Sequence, residues 1–176
     1  MKIYLIGGKA GSGKSEIAKY IKEYYIYQKQ DTVITEYSKY IKMFAKELTD
    51  WDGSPANKPR KFLQDFGSYV RNEMGEPKFF IRRMLEDLDI YSNYVDVVVI
   101  SDVRYPAEID EIKQEYPDAI SIYVMNQFSP SKLTIEEQMH PSELALEDYS
   151  DFNYTIANDD EKTLRNKIFN ILEGEN

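Results

Sequence analysis

Cysteine is absent from this chain, which excludes disulfides and thiolate metal sites and is compatible with a reducing compartment. There is one histidine, His140, and a lone imidazole in a polar loop reads as an exposed side chain rather than a catalytic base. No apolar run approaches the roughly 20 residues needed to span a bilayer. The apolar stretch at the start is a few residues long and runs straight into a glycine-rich loop, so no signal peptide is expected. A soluble cytoplasmic protein with no membrane partner is therefore the expectation. Positive charge is also scarce: 22 basic residues face 31 acidic ones, for a net charge of −9. That balance argues against a nucleic-acid backbone as partner. A small anionic substrate needs only a few converging cations, so the positions of the six arginines (Arg60, Arg71, Arg82, Arg83, Arg104, Arg165) matter more than the total. The fifteen tyrosines read as compositional bias, and 176 residues suit one domain with a real core.

What the chain does carry is Gly8-Lys9-Ala10-Gly11-Ser12-Gly13-Lys14-Ser15, a complete G-x-x-x-x-G-K-[ST] loop. The motif has meaning only between a strand and a helix. Lys2 to Gly7 reads as a short strand with Ile3, Tyr4, Leu5 and Ile6 apolar, and Ile17, Ala18, Ile21 and Tyr24 recur at helical spacing. In that setting Gly8, Ala10, Gly11, Ser12 and Gly13 wrap a diphosphate with backbone N–H groups, aided by the helix N-terminus. Lys14 then reaches the β- and γ-phosphates, and Ser15 ligates Mg²⁺. ATP and Mg²⁺ are the expected cofactors.

Beyond the loop, helical and strand patterns alternate. Strands are expected at Thr32 to Thr35, Val95 to Ser101, Ala119 to Val124 and Tyr154 to Ala157, and helices over Tyr37–Leu48, Lys58–Met74, a segment through Phe80 and Leu88, one opening at Pro106, and Glu161–Leu172. Alternation of this kind means an α/β fold, a five-stranded parallel sheet with helices on both faces. Two long excursions, 37–94 and 126–152, should lie at the carboxyl ends of the strands around the phosphate loop. The core would comprise 1–36, 95–125 and 153–176. Gln64, Ser68 and Arg71, spaced i, i+4, i+7, form a polar stripe on the third helix.

Val97 to Ser101 delivers Asp102, the carboxylate expected to make the second Mg²⁺ contact through water. Two residues later Arg104 would project into the same crevice, to pair with the phosphoryl group in transfer or with the acceptor's phosphate; its structural alternative is a salt bridge to Glu108. No general base is evident. An acceptor that is itself a phosphate needs none, because it is already ionised.

Several segments together resemble a bacteriophage-type deoxynucleoside monophosphate kinase: the phosphate loop, Leu63-Gln64-Asp65-Phe66-Gly67 continuing to Val70-Arg71, Pro77-Lys78-Phe79-Phe80 with Arg82, Ser101-Asp102-Val103-Arg104-Tyr105-Pro106, and His140-Pro141-Ser142-Glu143 leading to Ile156-Ala157-Asn158. Animal-type phosphomevalonate kinases look similar over part of the same set. The resemblance implies a P-loop kinase fold with a helical monophosphate-binding insertion at 37–94 and a lid at 126–152. It implies that Arg71, Arg82 and Arg104 surround the acceptor phosphate, that Lys42 lines the cleft, that Gly67 permits close approach of substrate, and that Phe79 is among the aromatics able to stack on a base. Asn158 would lie beside the adenine. The lid has no arginine; Lys132 and His140 are its only basic groups, so Lys132 is the expected lid contact to the donor. The implied reaction is transfer of the γ-phosphoryl group of ATP to a deoxynucleoside monophosphate, small nucleotides being the partners and dimerisation left open. A kinase for another phosphorylated small molecule and a nucleotide-hydrolysing switch are the rivals, the second weakened by the absence of an Asn-Lys-x-Asp guanine signature.

Overall fold

The computed structural model describes residues 1–126 and 133–174, with only the backbone of Asn126 and Glu161. The chain begins with strand β1 (Lys2–Gly7), the phosphate loop and helix α1 (Lys14–Tyr27). Strand β2 (Thr32–Thr35) leads into α2 (Lys39–Leu48), α3 (Arg60–Ser68) and α4 (Phe79–Tyr91). Strand β3 (Val97–Val103), α5 (Pro106–Glu115) and β4 (Ile120–Asn126) follow. Two single-turn helices, α6 (Ile135–Gln138) and α7 (Pro141–Leu144), precede β5 (Tyr154–Asn158) and α8 (Glu161–Gly174).

The five strands are all parallel, in the order β2-β3-β1-β4-β5. Period-two alternation divides the core between the faces. Ile3, Leu5, Val98 and Ile100 pack under α2, α4 and α5, with Ile41, Phe80, Met84, Leu88, Ile109 and Ile112. Tyr4, Ile6, Val97, Val99, Ile122 and Val124 pack under α1 and α8, with Ile17, Ile21, Leu164 and Ile168. The central strands β1 and β3 are covered on both sides, which is why they read as continuous apolar runs. The expected α/β architecture is the observed one.

Two local features differ from expectation. The helix anticipated over 58–74 is α3 followed by a wider π-helical turn, Tyr69–Glu73, closed by the Met74 N–H to the Tyr69 carbonyl at 3.0 Å. The extra residue in that turn keeps Val70 in the core while Arg71 stays on the cleft side. Strand β3 also runs past its expected end to Val103, so Asp102 is a strand residue with its side chain only partly buried.

Candidate active site

The phosphate loop leaves β1 at its carboxyl end and turns through three glycines with positive φ: Gly8 (141°), Gly11 (77°) and Gly13 (102°). Gly8 and Gly13 also have no room for a side chain. A Cβ at Gly8 would meet the Val124 carbonyl oxygen at 2.5 Å, and one at Gly13 would meet Asn158 Nδ2 at 2.5 Å. Asn158 donates to the Ser12 carbonyl at 3.0 Å, so the end of β5 braces the loop. Ser12 Oγ is buried without a hydrogen bond among the described residues. Lys14 folds back along the loop, its ammonium donating to the carbonyls of Gly8 (2.7 Å) and Lys9 (2.6 Å). Burial, and secondly the nearby Arg104 charge, hold that ammonium well below its ordinary pKa.

Beside the loop lies a cleft of about 320 Å³. Ala10, Gly11, Lys14 and Ser15 form its loop side; Glu36, Ser38, Ile41, Lys42, Lys58, Arg60, Leu63, Gln64 and Arg71 come from the β2–β3 connection. Asp102, Arg104, Tyr105 and Glu108 come from β3 and α5, and Leu133, His140, Ser142 and Glu143 from the segment after β4.

Asp102 secures the start of the connection: it accepts from the Tyr37 N–H (2.7 Å) on Oδ1 and from the Ser38 N–H (3.0 Å) and hydroxyl (2.5 Å) on Oδ2. One lone-pair direction on Oδ1 remains for a water. Ser15 is exposed and lines the same cleft. At the start of α5 the Glu108 carboxylate accepts the Tyr105 N–H at 3.2 Å, while the Glu108 N–H donates to the Tyr105 carbonyl at 3.0 Å.

Arg104 does not pair through its side chain with Glu108. Its backbone N–H donates to Glu108 (2.7 Å), whereas its guanidinium pairs with Glu143 (2.8 Å). The other oxygen of Glu143 accepts the Ala10 N–H at 2.7 Å, so one carboxylate ties the segment after β4 to both the loop and Arg104. Arg71 lies between the Phe80 and Tyr105 rings, 4.8 and 4.4 Å from their centroids, and reaches Glu108 at 3.5 Å. Glu108 is 2 % exposed, and burial pushes its carboxyl up to about 7 against the opposing effect of Arg71.

Of the expected substrate residues, Lys42, Gln64, Arg71 and Arg104 line the cleft. Gly67 stands behind it. A Cβ there would crowd Arg71 Nη1 at 3.0 Å and Ile41 Cδ1 at 3.2 Å, so this glycine makes room for the arginine rather than for a substrate. Ser68 meets Nε2 of His140 at 3.0 Å. His140 is half-buried, not simply exposed, and caps α7 through Ser142; burial holds it below its ordinary pKa. Phe79 and Arg82 do not line the cleft. Helix α4 turns Phe80, Ile81, Met84 and Leu88 into the core, which leaves Arg82 exposed and paired with Glu76 at 2.8 Å, and Phe79 edge-on to Phe80. Lys132 lies outside the described residues.

Sequence reasoning did not assign Glu36, Lys58, Arg60 or Glu108 to the site. Lys58 and Arg60 flank a proline after the turn-rich segment, where no periodicity indicates direction. Glu108 entered only as a possible salt-bridge partner of Arg104.

The cradle suits a polyphosphate: a loop in which Gly8 and Gly13 leave no room for a side chain, a lysine with no carboxylate ion pair among the described residues, and the positive end of the α1 dipole. Ser15 and Asp102 suit a magnesium ion that arrives with the phosphates. Among the described residues no three carboxylate or imidazole groups converge to form a metal site by themselves, and magnesium bound with phosphates needs none.

Strand order, phosphate loop and the cleft at the strand ends define a P-loop kinase fold. Solved structures share it: a sugar kinase from Janibacter (TM-score 0.59, 13% identity, covering 98% of this chain and 95% of that one), shikimate kinase from Bacteroides thetaiotaomicron (0.52, 15%, 98% of each), and a mutant of APS kinase from Mycobacterium tuberculosis (0.51, 10%, 98% and 96%). At these identities the shared property is the fold. No protein-family model matches the chain. Curated relatives do: UPF0200 proteins of Saccharolobus islandicus and Saccharolobus solfataricus are each 31% identical over 162 residues, 92% of this chain and 75% of theirs. The chain belongs to the UPF0200 family.

Proposed function

We propose that this protein transfers the γ-phosphoryl group of ATP, with Mg²⁺, to the phosphate of a small phosphorylated acceptor, a deoxynucleoside monophosphate being the first candidate. The observation that carries this reading is the excess of cations in the cleft. Lys14, Lys42, Lys58, Arg60, Arg71 and Arg104 all line it beside the carboxylates of Glu36, Asp102, Glu108 and Glu143, in a chain whose net charge is −9. A phosphate acceptor and a transferring phosphoryl group both need such convergent cations.

In the proposed reaction an acceptor phosphate oxygen attacks the γ-phosphorus, the bond to the β,γ-bridging oxygen breaks, and ADP leaves with that electron pair. An ionised acceptor has no proton to remove. Lys14 leaves its loop carbonyls to neutralise charge on the transferred group. Arg104, at the junction of loop and cleft, would follow the phosphoryl group as it passes. Ser15 and, through water, Asp102 would hold magnesium, which would supply positive charge to the phosphate oxygens.

The test is ADP formation in a coupled assay with each ribo- and deoxyribonucleoside monophosphate and with phosphomevalonate. The expected result is turnover dependent on one phosphorylated acceptor and reduced on the order of 100-fold or more by Lys14→Ala. Hydrolysis of ATP at the same rate with and without every acceptor would favour the switch reading.

A further inference from the structure

Among the described residues six lysines and arginines line the cleft, and four are already engaged. Lys14 donates to loop carbonyls, Lys42 pairs with Glu36, Arg71 reaches Glu108, and Arg104 pairs with Glu143. Lys58 and Arg60 make no ion pair and no side-chain hydrogen bond among the described residues, yet both are half-buried. They flank Pro59, where the Arg60 N–H donates to the Lys58 carbonyl at 2.8 Å. That tight turn at the entry to α3 brings both long side chains into the same cleft.

Two like charges withdrawn from water without a counter-charge oppose folding. The surroundings of Lys58 show the imbalance. Burial first, then Lys42 and Arg60, push its ammonium down to about 8, while Glu36 and Asp102 act in the opposite sense. An arrangement of this kind is completed by an anion. The Lys58 charge is also felt at Lys14, so an anion held there lies near the phosphate loop. The loop and the α1 N-terminus already provide a cradle for the donor, whereas Lys58 and Arg60 belong to the β2–β3 connection.

We infer that Lys58 and Arg60 form an anion subsite that grips the phosphate of the acceptor, the lysine as a mobile point charge and the arginine as a planar fork. This rests on the phosphoryl-transfer reading of the cleft, but phosphate binding is measurable without turnover.

The experiment is calorimetric titration of inorganic phosphate into protein saturated with Mg²⁺ and a non-hydrolysable ATP analogue, in wild type, Lys58→Met/Arg60→Met and Lys58→Arg. Thermal melting checks that each variant folds, as expected for half-exposed side chains. The double variant should bind phosphate about ten-fold or more weakly and the analogue as wild type does, while Lys58→Arg retains most of the phosphate affinity. Equal phosphate affinity in the folded double variant overturns the subsite. Loss of analogue affinity with phosphate affinity intact also overturns it, by moving these cations to the donor. If wild type binds phosphate but not the analogue, the ATP-dependent reading fails; phosphate binding that Lys58→Met/Arg60→Met abolishes would still support the subsite.

Discussion

Glu108 shows how one residue serves both the fold and the cleft. Its carboxylate accepts the N–H groups of Arg104 and Tyr105 at the start of α5, and it is the anionic partner of Arg71. Burial raises its folded pKa to about 7 from an ordinary value of 4.5. Because the folded value is raised, proton uptake by Glu108 favours the folded state in acid. That contribution is present in full below the ordinary value and is lost as pH rises through about 7. Glu108→Gln cannot titrate. Denaturant unfolding at about pH 5 and about pH 8 should therefore show wild type losing stability relative to the variant as pH rises. A stability difference that stays constant between the two pH values would mean that Glu108 is already ionised throughout.

At the scale of elements, the short helices α6 and α7 pack on the β2–β3 connection with little apolar contact. Their links to the β2–β3 connection are polar and few: Lys61 to Glu136 (2.8 Å), Gln64 to the Glu137 carbonyl (3.2 Å) and Ser68 to His140 (3.0 Å). Ile135 and Met139 remain 83% and 65% exposed, so little apolar burial opposes opening. Glu143 nevertheless touches the phosphate loop and Arg104, which couples this segment to whatever fills the cleft. Hydrogen exchange of residues 133–152 should slow when a non-hydrolysable ATP analogue and acceptor are added together. Unchanged exchange would mean that the segment does not act as a lid. Neither helix was visible in the sequence, because a single turn such as Pro141–Leu144 has no periodicity to detect. The π-helical turn at Tyr69–Glu73 escaped for a related reason: helical spacing continues across it, and only the backbone hydrogen bonds reveal the extra residue. By contrast, Val97 to Ile100 could be placed at once, since a strand covered on both faces must be apolar at every position. The placement of Arg82 outside the cleft also follows from packing: its direction is set by which face of α4 is buried, and Phe80, Ile81, Met84 and Leu88 decide that.

For the molecule as a whole, the distribution of charge is more informative than its sum. An acidic exterior surrounds a cleft lined by Lys14, Lys42, Lys58, Arg60, Arg71 and Arg104, and the fold brings these side chains together from α1, α2, the entry to α3, the π-helical turn and the end of β3. Arg71 and Arg104 could be singled out beforehand, one from a polar stripe and one from its place after an apolar strand. Lys58 and Arg60 could not, because their convergence depends on tertiary structure alone. In the proposed reaction this convergence serves an acceptor that is itself a phosphate, in contrast to a hydroxyl acceptor. The bond formed distinguishes the two. Phosphorus NMR of the product made from ATP and the acceptor identified by the coupled assay tests this most directly. The expected product carries a new phosphoanhydride, seen as two mutually coupled phosphorus signals on the acceptor; an uncoupled phosphoester signal would overturn the proposed reaction.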